Sequence, residues 1–182
     1  MPVNPKLIRE VFDASMDIFF QREVLEVIEG VNERNNCGRL AIYMQQIAHN
    51  RGLVNYIADT EYNRKQDGKI KTILDGQMKI VAINCDLILH SRGLIVNEDN
   101  LIAVEVKKKD TPKGEKEKDR ERLRALTKAS YDGVWSADGI AHPEHVCGYA
   151  LGVFVELDRN QRVCRFEYYR EGHIFEEIKR KF

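Results

Sequence analysis

No apolar run in this 182-residue chain approaches the roughly 20 residues of a membrane span, so no spanning helix is expected. The opening residues, MPVNPKLIRE, lack the charged-then-apolar layout of a signal peptide. Net charge is also missing. Lys+Arg and Asp+Glu both number 29, which excludes a globally basic, histone-like coat but leaves room for a local basic patch. The four cysteines (Cys37, Cys85, Cys147, Cys164) are far apart and form no CxxC pair. That argues against a disulfide framework or a zinc ribbon and points to buried thiols in a reducing cytoplasm. There is no GxGxxG, P-loop or GxSxG motif, which removes the usual signatures of dinucleotide binding, phosphate cradles and serine hydrolases. Internal repeats and low-complexity linkers are absent too. What remains is 43% hydrophobic residues in a length suited to one domain with one packed core.

The apolar spacing predicts a mixed chain. Residues 5 to about 30 read as an irregular helix, with Pro5 at a first helical position after Asn4 and Gly30 as its break. A second helix is expected from about Asn32 to His49, because Leu40, Tyr43, Met44, Ile47 and Ala48 share one face. It should stop near Asn50-Arg51-Gly52. The period then falls to two. Strands are expected over 54–62, 79–90 and 101–107, with turns near Gly68 and Gly76. Leu101 and Ala103 on one face, and Ile102, Val104 and Val106 on the other, suggest that the third strand is central and covered. A charged helix is expected over about 115–130, a loop carrying Trp135 over 133–144, and strands over 146–157 and 163–169, the latter the last. The order is helix, helix, three strands, helix, two strands. Such an order fits an α/β domain with a mixed sheet flanked by helices, and it lacks the alternation of a doubly wound sheet. Residues 1–30 read as a helical segment on the core of a single domain spanning 31–182.

Chemistry concentrates in Cys85-Asp86-Leu87-Ile88-Leu89-His90 and Leu101-Ile102-Ala103-Val104-Glu105-Val106-Lys107. Glu105 and Lys107 are two apart on a strand and so share a face. An adjacent hairpin strand would bring Asp86 beside them. Two converging carboxylates repel, and a divalent cation relieves that repulsion; oxygen ligands suit Mg²⁺ or Mn²⁺. A metal there can orient a phosphate and lower the pKa of a water, while Lys107 stabilises developing negative charge. A Glu-x-Lys at a strand end is, by itself, also an ordinary salt bridge.

The combination is more specific: an Asp after an apolar run, a hairpin-length gap, an apolar strand, Glu-x-Lys, then a helix. In this it resembles the PD-(D/E)xK nuclease superfamily, which includes restriction endonucleases and Holliday-junction resolvases. The resemblance spans roughly residues 30–157. It implies a restriction endonuclease-like αβββαβ core, Asp86 as the motif aspartate, and Glu105 and Lys107 as the (D/E)xK pair. It also implies Mg²⁺-dependent hydrolysis of DNA phosphodiester bonds, with Asp86 and Glu105 holding the metal, the Val106 carbonyl as a further candidate ligand, and Lys107 positioning or activating the water. One departure is that Cys85 stands where the family usually has proline. The family often places a glutamate on its first core helix, and Glu33 resembles it.

From the residues alone, Glu33 has two readings. It lies on the apolar stripe of the second helix and so could face the sheet, and a first-turn glutamate is also favoured by the helix dipole. Glu61 reads more readily as a solvated strand end than as a site residue. Residues 107–128 carry ten Lys/Arg and five Asp/Glu, a local charge of +5. Within that run Lys108, Lys109, Lys113, Lys116, Arg120 and Arg124 are candidates for the phosphate backbone of DNA, with RNA as an alternative. A solvated helix with intrahelical pairs is the competing account. The segment Asp119-Arg120-Glu121-Arg122-Leu123 resembles the family helix that follows the motif strand. His142, His145 and Cys147 form HxxHxC without an evident fourth zinc ligand, so surface histidines are expected there. Tyr131 and Trp135 could stack on bases, although core packing is the stronger reading.

Two function classes therefore stand. One is a metal-dependent nuclease, which by family analogy could act as a homodimer. The other is a catalytically silent module that binds nucleic acid or a protein within a larger restriction, defence or repair complex.

Overall fold

The computed structural model describes residues 2–61, 72–74, 80–82, 85–128 and 148–182. Helix α1 spans Pro5–Glu29 and α2 spans Glu33–Asn50. Asn4 caps α1 by accepting from the Lys6 N–H, with Pro5 in the first turn, and Gly30 ends it at φ 84°. Asn32 caps α2 through the Asn35 N–H, and Gly52 follows its end at φ 86°. The strands are β1 (Ile57–Thr60), β2 (Thr72–Leu74), β3 (Ile80–Ala82), β4 (Leu87–His90) and β5 (Asn100–Lys108), followed by α3 (Lys113–Thr127), β6 (Leu151–Asp158), β7 (Val163–Arg170) and β8 (His173–Lys181).

Six strands form one mixed sheet in the order β1-β4-β5-β6-β7-β8, while β2 and β3 pair separately. Only β5 and β6 run parallel among these pairs, and α3 lies in the connection between them. The period-two pattern sends alternate residues to opposite faces. Leu87, Leu89, Ile102, Val104, Val153 and Val155 join the core under α1 and α2. Ile88, Ala103 and Phe154 join Leu123 and Leu126 of α3 on the other side. The result is an α/β arrangement with helices on both faces of the sheet, and β5 is central as its sequence suggested. Gly152 lets α3 approach closely, since a Cβ there would lie 2.8 Å from Thr127 Cγ2. Among the described residues, no helix is long and apolar enough to cross a membrane.

Helix α1 belongs to the same core, burying Ile8, Val11, Phe12, Met16 and Phe19. It also meets the last strand. Arg9 pairs with Glu176, Asp17 with Arg180, and Phe20 stacks on Phe182 at a centroid distance of 4.7 Å.

Two expectations need correction. The strand expected over 79–90 is not one element: β3 pairs with β2, and only β4 enters the main sheet. The ladder stops at Asp86 because its Oδ2 accepts the Val106 N–H at 2.8 Å, replacing a backbone partner with a side chain. The strand over 163–169 is also not the last. Glu171 (φ 51°) and Gly172 (φ 81°) turn the chain into β8. Three of the cysteines, Cys37, Cys85 and Cys164, are buried free thiols. Tyr131, Trp135, His142, His145, Cys147, Gly68 and Gly76 lie outside the described residues.

Candidate active site

The adjacent β4 and β5 bring Asp86, Glu105 and Lys107 together, and the N-terminus of α2 adds Glu33. Register fixes the first part. Leu87 pairs with Val104, so Asp86 falls beside Glu105 at the end of the two strands. Asp86 is held by the Val106 N–H, and Glu33 Oε1 accepts the Lys108 N–H at 3.1 Å. Backbone donors thus fix two carboxylates on the central strand. Lys107 Nζ lies 3.6 Å from Glu33, 3.5 Å from Asp86 and 3.4 Å from Asp119 Oδ2, and it donates to the Val106 carbonyl at 3.3 Å.

Glu105 is the most enclosed member, fully buried. Its Oε1 accepts from Arg122 Nη1 at 2.5 Å, and Arg122 also reaches Asp119 Oδ1 at 3.1 Å. Its Oε2 is buried and has no hydrogen-bond partner among the described residues. Burial pushes the Glu105 carboxyl up to about 8, against the pull of Arg122 and with help from Asp86 and Asp119. Burial raises Asp119 as well, against Lys107 and Arg122. For Lys107, burial acts downward, but Asp86, Asp119, Glu33 and Glu105 outweigh it and hold the ammonium above its usual value.

Asp119 and Arg122 were not singled out as site residues from the sequence. They lie on α3 one turn before Leu123 and Leu126, whose burial turns that face inward. The signal was that spacing, an Asp and an Arg three apart in register with two leucines. Charge on every side of the helix obscured it.

The cluster counts four carboxylates (Glu33, Asp86, Glu105, Asp119) and two cations (Lys107, Arg122). Fully ionised, it carries −2. Among the described residues, no three of His, Cys, Asp or Glu stand in ready-made metal-binding geometry, and the two cations reach between the carboxylates. The donor set nevertheless fits a hard divalent ion: all its donors are oxygens, and one of them, Glu105 Oε2, is buried without a partner. A cleft of about 310 Å³ opens on this cluster, lined by Glu33, Arg34, Cys37, Glu61 and Asp86 among others. Glu61 sits at its rim, paired to Arg34 at 2.7 Å.

The six basic candidates for phosphate contact are mostly engaged inside the protein. Lys108 donates to the Gly30 carbonyl at 3.1 Å. Lys109 and Lys116 both meet Glu156, at 3.3 and 2.8 Å. Arg120 grips Glu167 with two hydrogen bonds of 2.8 and 2.7 Å, and Arg124 pairs with Glu117 and Glu121. Lys113 is exposed. Much of the +5 run thus ties α3 to β6 and β7.

No family model, curated protein or solved structure matches the chain.

Proposed function

We propose that this protein is a metal-dependent nuclease of the restriction endonuclease-like class, acting on DNA phosphodiester bonds. The observation that carries the reading is the convergence of Asp86, Glu105 and Lys107 from two adjacent strands, with a buried, unpartnered Glu105 oxygen in a net-acidic cluster. The order α2, β1, β4, β5, α3, β6 supports it too, being αβββαβ once the separate β2–β3 pair is set aside.

Asp86 and Glu105 would hold Mg²⁺ or Mn²⁺, with the Val106 carbonyl and Glu33 beside them. The ion would supply Lewis-acid activation of the phosphodiester and of the attacking water. The chain's own groups do the rest. The Val106 N–H aims the Asp86 carboxylate, and the Lys108 N–H aims Glu33. Arg122 fixes the rotamer of Glu105, while Asp119 holds Arg122 and Lys107. On leaving its three carboxylates, Lys107 would position the attacking oxygen and offset the charge that builds on the phosphate.

The test is cleavage of labelled DNA and RNA structures by the wild type and Asp86→Ala, with Mg²⁺, Mn²⁺ or EDTA. Metal-dependent cutting that vanishes in Asp86→Ala is the expected result. One observation favours a second reading, a catalytically silent binding module: Lys107 and Arg122 already neutralise half of the cluster. In that case the wild type would bind nucleic acid equally well in EDTA and would not cut.

A further inference from the structure

Among the described residues, the longest open edge of the main sheet is β8. Nine residues long, it pairs with β7 on one side and ends the strand order on the other. Among the described residues, its outer row of N–H and C=O groups meets no strand. Eight of its nine residues are exposed, Ile174, Phe175 and Ile178 among them. Charged side chains, proline or a covering element blunt such an edge against indiscriminate pairing. Here the charges change sign along the strand, so they reject most registers and leave one complementary: Glu176 and Glu177, then Ile178, then Lys179, Arg180 and Lys181.

This pattern specifies its own complement. When a strand pairs with a copy of itself across a two-fold axis, residues equally far from the axis stand opposite each other on the same face. The axis must pass through a residue, which then faces its own copy. Between Glu176 and Lys181, every choice except one sets like charges face to face. The exception is Ile178. There Ile178 meets Ile178, each Glu177 meets a Lys179 and each Glu176 meets an Arg180, all opposite-charge pairs of the stabilising kind. On the α1 side, Arg9–Glu176 and Arg180–Asp17 of each protomer would join into one row of alternating charge across the axis.

We infer that β8 is a homodimerisation strand, pairing antiparallel with β8 of a second copy about an axis through Ile178 and making one twelve-stranded sheet from two six-stranded ones. The inference is independent of the nuclease reading.

The experiment is sedimentation equilibrium of the full chain at micromolar concentrations. Glu177 and Lys179 are exposed and make no ion pair within the described residues, so reversing either leaves the protomer folded, as circular dichroism will check. The wild type should self-associate. Glu177→Lys or Lys179→Glu sets like charges opposite twice per dimer and should weaken association by about tenfold or more. The double variant E177K/K179E restores opposite charges and should restore the dimer. A wild type that stays monomeric overturns the inference and leaves the edge to a foreign strand. Single reversals without effect, or a double variant that fails to recover, overturn it as well.

Discussion

Glu105 should destabilise the metal-free protein, and Glu105→Gln should reveal by how much. Its carboxyl is fully buried, with one oxygen on Arg122 and the other without a partner. A rise from its ordinary 4.5 to about 8 corresponds to about 5 kcal/mol at most, at roughly 1.4 kcal/mol per unit. The sign follows from proton binding. Between pH 4.5 and 8 the native state keeps a proton that the unfolded state has lost, so stability falls as pH rises and levels off above about 8. Glutamine removes this dependence. Its oxygen can still accept from Arg122, but its amide N–H takes the unpartnered position at a cost of about 1–3 kcal/mol. The net gain at pH 8.5 in EDTA is then about 3 kcal/mol, which raises the Tm by roughly 6–12 °C for a chain of this size. Urea unfolding from pH 5 to 9 would measure it. Adding Mg²⁺ should narrow or reverse the gap, because the ion would stabilise the wild type through Glu105. A Glu105→Gln protein that is less stable than the wild type at pH 8.5 in EDTA, or whose stability keeps the same pH slope, would refute the reasoning.

Other outcomes follow from the same contacts. Lys107→Ala should fold and bind DNA while losing cleavage by at least about 100-fold in a single-turnover assay. Arg122→Met leaves Glu105 and Asp119 without their shared cation, and should lose about 3 kcal/mol in denaturant at pH 8 but less at pH 5, where the carboxyls protonate. Gly152→Ala forces a Cβ against Thr127 and Tyr169 and should lower stability by about 1–3 kcal/mol in thermal unfolding, with cleavage retained at low temperature.

The elements that sequence patterning made legible are those with an apolar period. Helix α2 carries Leu40, Tyr43, Met44 and Ala48 as buried residues on the face their spacing defined. Strand β5 is buried on both faces where its apolar residues begin on both. The proximity of Asp86, Glu105 and Lys107 was legible for the same reason, since strand parity and a hairpin connection suffice to place them. Glu33 was only half legible, since the helix stripe and the helix dipole gave it two readings; the structure sets it on the Lys108 N–H. What failed lacked that kind of signal. Strand β8 has no buried residue, so burial periodicity cannot announce it, although Glu171-Gly172 ahead of it was a turn signal. Asp119 and Arg122 were lost among the charges of α3. The engagement of Arg120 by Glu167 and of Lys116 by Glu156 could not be inferred, because those partners lie 47 and 40 residues away on strands whose register the sequence does not state.

The meeting of α1 with β8 has a consequence for synthesis on the ribosome. Arg9 and its partner Glu176 are 167 residues apart. At roughly 5–20 residues per second, helix α1 emerges about 8–30 s before the strand it finally rests against. Early in that interval the apolar stripe from Ile8 to Val27 has only α2 beside it; β4, β5 and β6 follow, and Phe166 and Tyr168 of β7 close on Phe12 near its end, so until then the helical pair must survive as a nascent hairpin or be shielded by a chaperone. Ribosome profiling of chaperone occupancy should find the stripe shielded until β7 leaves the exit tunnel, with the Arg9–Glu176 pair closing only afterwards.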